Sequence, residues 1–222
     1  MNAVAFFDFD DTLIVGNSGN LWIRRELRAG NITRLQFLRA AVWMARYRLG
    51  LATLDDALRT AIGSLKGQPA AALRERTRAF YEEEVRALYR TGARDAIARH
   101  RAEGDAVVLL TASSLYLSEL VAAELGLDAV LCNRFAVDAA GLHTGEPEGA
   151  LCFGAGKLEY ARAYAAGRGI ALSDCSFYTD SYSDLPVLER VGRPVVVNPD
   201  RRLRAEALRR GWPVAEWDAA AA

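Results

Sequence analysis

The feature that most constrains this chain is an apolar run at its start that stops at acids. Ala3 to Phe7 are five consecutive apolar residues, and Asp8, Asp10, Asp11 and Thr12 follow them. Such a run suits a strand buried on both faces, in the middle of a parallel sheet, although length alone also allows a helix. Parallel strands need crossover connections, so the rest of the chain must alternate helices with further strands.

It does so after a detour. From Ser18 to about Tyr89, Leu21, Trp22, Leu35, Phe37, Leu38, Val42, Trp43, Leu54, Leu58, Ile62, Leu73, Phe80, Val85 and Leu88 recur at helical spacings. Gly30, Gly50, Gly67 and Pro69 divide this stretch into several helices, and no strand is expected in it. Beyond Gly92 a helix over 94–102 leads to a strand at 106–111, and a helix over 115–125 leads to a strand at 129–133. A weak alternation over 134–146 predicts a hairpin. A helix begins near Lys157, strands are expected at 175–179 and 194–198, and a helix over 200–210 follows. Residues 219–222 read as a frayed tail. The expected fold is α/β: a doubly wound, mainly parallel sheet built from 1–14 and 92–222, interrupted by an all-helical insert at 15–91.

Composition closes off other classes. With 222 residues, 51% hydrophobic and 25% charged, the chain can bury a large core. Its formal net charge of +0 gives no electrostatic case for nucleic acid or for stable membrane association. Three cysteines, Cys132, Cys152 and Cys175, with no C-x-x-C spacing, argue against a disulfide framework or a zinc site and read as core thiols. No signal peptide or long apolar span is visible, so a cytoplasmic location is expected. The sequence does not fix the oligomeric state.

Ligands of doubly wound sheets bind beyond the carboxyl ends of the strands. There this sequence places Asp8, Asp10, Asp11 and Thr12, then Thr111, Ala112, Ser113 and Ser114, then Asp180, Ser181, Ser183 and Asp184, with Lys157 opening a nearby helix. Two like charges about 4 Å apart repel by roughly 4 kcal/mol at an effective dielectric of 20, so this rim must bind a cation or take up protons. Oxygen-only donors select a hard ion and suit Mg²⁺. A lysine beside that ion makes sense if a small phosphorylated substrate sits between them. Asp8 can then attack phosphorus, and Asp10, facing the same way about 6–7 Å off on extended backbone, can exchange protons with the leaving group and with water.

These residues, in this order, resemble the haloacid dehalogenase (HAD) superfamily of phosphohydrolases, in the subfamily typified by phosphoserine phosphatase. Its D-x-D-x-T motif stands as Asp8-Phe9-Asp10-Asp11-Thr12, its hydrophobic strand ending in Ser or Thr as Val107 to Thr111, its lysine as Lys157, and its acidic motif as Asp180 and Asp184. The resemblance implies a Rossmann-like core with a helical cap after the first strand. It makes Asp8 nucleophile and metal ligand, and Asp10 general acid/base and a ligand through its carbonyl. Thr111 and Lys157 would hold the phosphoryl oxygens, and Asp180 and Asp184 would serve the metal. It also implies an amino-acid-like phosphate as substrate, of the phosphoserine or histidinol phosphate type. The sequence departs from the usual Gly-Asp-Gly-x-x-Asp at Thr179 and Ser181.

Phe9, Thr12, Ala112, Asn17 and Ser18 are expected around the substrate, Ala112 through its N–H, and Ser113 and Ser114 as helix caps. His100, in an arginine-rich helix, is expected at the surface, and His143 has no assigned role. Trp22, Trp43 and the apolar stripe at 35–52 are expected to form the insert's core, and Arg24, Arg25, Arg46 and Arg48 a solvated face. Two other classes compete. A phosphorylated signalling module would accumulate a stable phospho-form, although Asp10 argues against it, and a silent phosphate-binding protein would show no turnover.

Overall fold

The computed structural model describes residues 2–33, Leu35, Leu38, Val42 and 54–217. Six parallel strands form one sheet: β1 (Val4–Phe7), β2 (Ala106–Ser114), β3 (Ala129–Asn133), β6 (Ser176–Thr179), β7 (Arg193–Val197) and β8 (Val214–Ala215). Their spatial order is β3-β2-β1-β6-β7-β8. The chain moves outward from β1 to β3, then crosses back and resumes at β6 on the other side of β1. The strand order reverses at β1, and ligands of such sheets bind beyond the carboxyl ends at that switch point.

β1 is apolar throughout because both of its faces are covered. Ala5 and Phe7 join one core with Ala93, Ala96 and Ile97 of α4 (Thr91–Ala102) and Leu117, Val121 and Leu125 of α5 (Leu115–Leu125). Val4 and Phe6 join the other with Ala161 and Ala165 of α6 (Ala155–Ala166), Leu188 of α7 (Leu185–Leu188) and Leu203 of α8 (Arg201–Arg210). Burying one such Phe contributes about 1.5–3 kcal/mol, so a polar residue at Phe6 or Phe7 would be poorly tolerated.

Between β1 and α4 run α1 (Ser18–Arg28), α2 (Leu54–Gly63) and α3 (Ala70–Phe80). An Ile14–Tyr89 bridge closes the neck of this excursion, with Val15 N–H donating to Leu88 O at 2.9 Å and Arg90 N–H to Leu13 O at 2.9 Å. A second attachment is the antiparallel hairpin of β4 (Phe135–Val137) and β5 (His143–Pro147). Gly67 N–H donates to His143 O at 2.8 Å, His143 N–H to Gln68 O at 2.9 Å, and Ala70 N–H to Gly141 O at 2.9 Å. Gly67 and Pro69 thus punctuate the helices where the insert grips the hairpin.

Most elements fall where the sequence placed them; β8 and the short α7 are new. Trp22 packs edge-on against Phe80, ring centroids 5.3 Å apart. Trp43, Arg46, Arg48, most of the 35–52 stripe and 219–222 lie outside the described residues. Leu35, Leu38 and Val42, which were expected to be buried, are more than half exposed. All three cysteines are buried and free.

The surface assignment of His100 is wrong. The residue is 3% exposed, with Nδ1 2.8 Å from Asp105 Oδ2 and Nε2 2.8 Å from the Tyr178 hydroxyl. The arginines marked α4 as solvated, yet His100 continues the inward Ala93-Ala96-Ile97 spacing. The carboxylate and the phenol satisfy its ring.

Candidate active site

Three strand ends and one helix start build the site. Beyond β1 the backbone stays extended at Asp8 and Asp10, then tightens into a wide helical turn (Phe9–Leu13) with Asp11 at φ 53. Asp11 tolerates that left-handed conformation because its carboxylate accepts Gly16 N–H at 3.1 Å while its own N–H donates to Gly16 O at 3.0 Å. The turn aims the chain into α1, whose Ser18 N–H donates to Asp10 Oδ1 at 2.6 Å. Asp10 is therefore fixed by the first turn of the insert, an acid at a helix N-terminus.

Lys157 lies in the first turn of α6, in the run Gly154-Ala-Gly156-Lys157. Gly154 has φ +52, and a Cβ on Gly156 would sit 2.0 Å from Leu151 O. Only glycine lets the helix start this close to the preceding turn. We expect Gly156→Ala to displace Lys157, destabilising the protein by about 1–3 kcal/mol and lowering turnover together with it; thermal unfolding and phosphate release measured in parallel check this.

Lys157 is 2% exposed, and its Nζ lies 2.9 Å from Asp8 Oδ1 and 2.8 Å from Asp184 Oδ2. Burial opposes its charge, but Asp184 and Asp8 outweigh burial and raise its pKa. Thr179 Oγ1 donates to Asp184 Oδ2 at 2.7 Å. The departure from glycine at 179 thus supplies a hydroxyl that orients the acid, and the one at Ser181 supplies an oxygen that accepts Ser183 N–H at 3.3 Å. Thr12 Oγ1 donates to Asp180 Oδ1 at 3.2 Å. Asp200, which the sequence reading did not single out, caps α8 and also accepts Tyr182 N–H at 2.7 Å; its own N–H donates to Asp180 O at 2.8 Å. Its position just before a helix was the available signal.

The rim is short of positive charge. Burial, then Asp184, push Asp8 up to about 7 against the pull of Lys157. Burial pushes Asp10 to about 6. Asp180 is held well above the carboxylate range by burial and by Asp8, Asp11 and Asp184. Asp184 Oδ1 is buried with no hydrogen-bond partner. An orphaned carboxylate oxygen among acids that resist ionisation is what a hard divalent cation would satisfy. The carboxylates of Asp8, Asp180 and Asp184 and the Asp10 carbonyl could supply donors to such an ion.

Thr111, 1% exposed, follows the regular part of β2, and its Oγ1 accepts Ser113 N–H at 3.1 Å. Ser114 caps α5, whereas Ser113 does not. Four of the residues expected around the substrate have other surroundings within the chain. The Phe9 side chain is fully buried in the core, which leaves only its backbone for a ligand. Thr12 serves Asp180. Asn17 Oδ1 caps α1 by accepting Asn20 N–H at 3.0 Å, and Ser18, 3% exposed, serves Asp10. For Thr12, Asn17 and Ser18 a nearby polar partner engages the group, which residue type alone does not reveal. Ala112 stays at the rim, in an irregular stretch of β2.

An acid-lined rim at the reversal of a parallel sheet, with one buried lysine, is an arrangement that suits an α/β hydrolase. The family model of the haloacid dehalogenase-like hydrolases matches residues 5–189, and the chain belongs to that family. A phosphoserine phosphatase of Mycobacterium tuberculosis is 32% identical over 98% of this chain and 71% of its own length. A histidinol-phosphatase of Neisseria meningitidis is 27% identical over 96% of this chain and 98% of its own. A crystal structure of a Bordetella pertussis protein of unknown function superimposes with TM-score 0.87 at 30% identity, covering 97% of this chain and 98% of that one. The protein is an enzyme of the phosphatase type within this family. No helix among the described residues is long and apolar enough to cross a membrane.

Proposed function

We propose that the protein is a Mg²⁺-dependent phosphomonoesterase that works through an aspartyl-phosphate on Asp8. The observation that carries the reading is Lys157 Nζ at 2.9 Å from Asp8 Oδ1, on a rim that also holds Asp10, Asp180 and Asp184. Mg²⁺ bound there would neutralise charge on the phosphoryl oxygens. An Asp8 carboxylate oxygen attacks phosphorus and the ester P–O bond breaks. Asp10, pushed up to about 6, gives its proton to the departing oxygen. The Asp10 carboxylate then takes a proton from water, whose oxygen attacks phosphorus, and the Asp8–phosphoryl bond breaks to release phosphate. Lys157 and Thr111 hold the phosphoryl oxygens throughout.

The insert connects to the site at Ser18 and, as a cap, would read the leaving group and exclude water. The phosphoserine and histidinol phosphatases among the relatives support an amino-acid- or amino-alcohol-like phosphate as substrate. Phosphate release from a generic aryl phosphate and from a panel including those two esters, with and without Mg²⁺, tests the reading. A stable phospho-protein without turnover would replace it with the signalling alternative.

Cation dependence has a second readout. The pKa values of Asp8 and Asp10 are raised on folding, so their contribution to stability is fully present below about pH 4 and is lost as pH rises through 6 to 7. A cation favours the charged forms and offsets that loss. We expect EDTA-treated protein to melt at lower temperature at pH 8 than at pH 5, and added Mg²⁺ to raise Tm more at pH 8. An equal Mg²⁺ effect at both pH values would contradict the assignment.

A further inference from the structure

Asn133 ends β3 and is 2% exposed. Both ends of its carboxamide are engaged, and each by a different loop of the site. Nδ2 donates to Ala112 O at 2.6 Å, and Oδ1 accepts Cys152 N–H at 2.8 Å. One partner is a carbonyl and the other an N–H, so the amide orientation is fixed by chemistry.

The first contact falls where the sheet ladder fails. β2 pairs with β3 at Leu110↔Leu131 and again at Ser114↔Asn133, so β2 advances four residues while β3 advances two. Thr111, Ala112 and Ser113 are therefore out of register, at the level of the phosphoryl site. Regular pairing does not hold this stretch; the Asn133 side chain does. The second contact falls on the tight turn before α6, where Phe153 N–H donates to Leu151 O at 3.0 Å and Gly156 N–H to Phe153 O at 2.9 Å. Lys157 is the next residue.

We infer that Asn133 is a positioning residue that sets the distance between the two phosphoryl-holding groups, Thr111 and Lys157, by tying the β2 bulge to the turn that starts α6. The inference rests on the phosphatase reading above. It needs a residue with a donor and an acceptor on one short rigid arm. Aspartate keeps the shape but sets an anionic oxygen against the Ala112 carbonyl. Serine cannot span both partners.

The test compares Asn133→Asp and Asn133→Ser with Thr111→Val, using aryl phosphate turnover per folded molecule, inhibition by inorganic phosphate, and the Mg²⁺ concentration for half-activation. Asn133→Asp should lower kcat/KM about 10- to 100-fold and weaken phosphate inhibition in step, because small displacements of positioned groups cost this much. The Mg²⁺ requirement should hold, since the acids on β1 and β6 are untouched. A purely structural role would lower the folded fraction and leave KM and phosphate inhibition per folded molecule unchanged, and that result overturns the inference. If Thr111→Val also leaves phosphate inhibition unmoved, the phosphoryl-site reading itself fails, which is a separate outcome. Should neither Asn133 variant fold, the wild-type protein decides: orthovanadate with Mg²⁺ should shift the Asn133 side-chain amide resonances, and unmoved resonances overturn the proposal.

Discussion

Replacing Asp8 with asparagine should abolish phosphate release, by about 10³-fold or more, while leaving the protein folded and at least as resistant to heat. Asn has nearly the same shape, so the end of β1 need not move. What it lacks is the anionic oxygen that attacks phosphorus. Stability should not suffer because Asp8 is 7% exposed and burial already pushes its pKa up to about 7. At neutral pH, in the absence of a cation, part of its population is protonated, and a neutral amide removes a desolvation cost. Lys157 keeps Asp184 at 2.8 Å, so its charge is not stranded. On the proposed reading, Asp8 is placed for chemistry at the expense of stability. The check is steady-state phosphate release with Mg²⁺ beside thermal unfolding in the presence of EDTA. Full activity sinks the nucleophile assignment, and lost activity with a lower Tm would mean that Asp8 is structural.

The readable parts of this molecule share a cause. β1 and the first five residues of β2 are buried on both faces and read as continuous apolar runs, whereas β6, equally buried, is Ser-Phe-Tyr-Thr and is followed at once by Asp180. Asp8, Thr111 and Asp180 were therefore legible as one rim before any coordinates. Lys157 was legible only through its glycines and its company, because a lysine in a helix is normally solvated. Side-chain partners are what pattern does not encode. His100 sits among arginines in sequence, yet its ring faces Asp105 and Tyr178. Thr12, Asn17 and Ser18 have the right chemistry to meet a substrate, but each is taken by an acid or a helix end a few ångströms away. Asn133 was visible only as the end of a strand. Its importance comes from a two-residue offset between β2 and β3, and no single-strand pattern reports a register shift.

Substituting Lys157 with methionine should damage both activity and stability, and the pH dependence separates the two. The side chain is 2% exposed and bridges Asp8 and Asp184, which are themselves buried. Methionine fills much of the volume but leaves two carboxyl groups without their cation. Removing one partner from a buried ion pair costs about 3–5 kcal/mol, because the remaining charge has nothing to replace its lost hydration. That cost applies to the ionised acids. At pH 5 Asp8, whose pKa burial pushes up to about 7, takes up a proton and the variant should approach the wild type; as pH rises past 7 the gap in Tm should widen. Mg²⁺ should narrow the gap at pH 8, since it supplies positive charge to the same oxygens. Activity should behave differently. With Mg²⁺ and a fully folded variant, turnover should remain about 10²–10³-fold below wild type, because the phosphoryl group loses a fixed donor that the cation does not replace. Thermal unfolding across pH 5–8 with and without Mg²⁺, beside phosphate release at matched folded fraction, decides it. Recovery of turnover together with Tm would make Lys157 a counter-charge for the acids only and would remove it from the phosphoryl site.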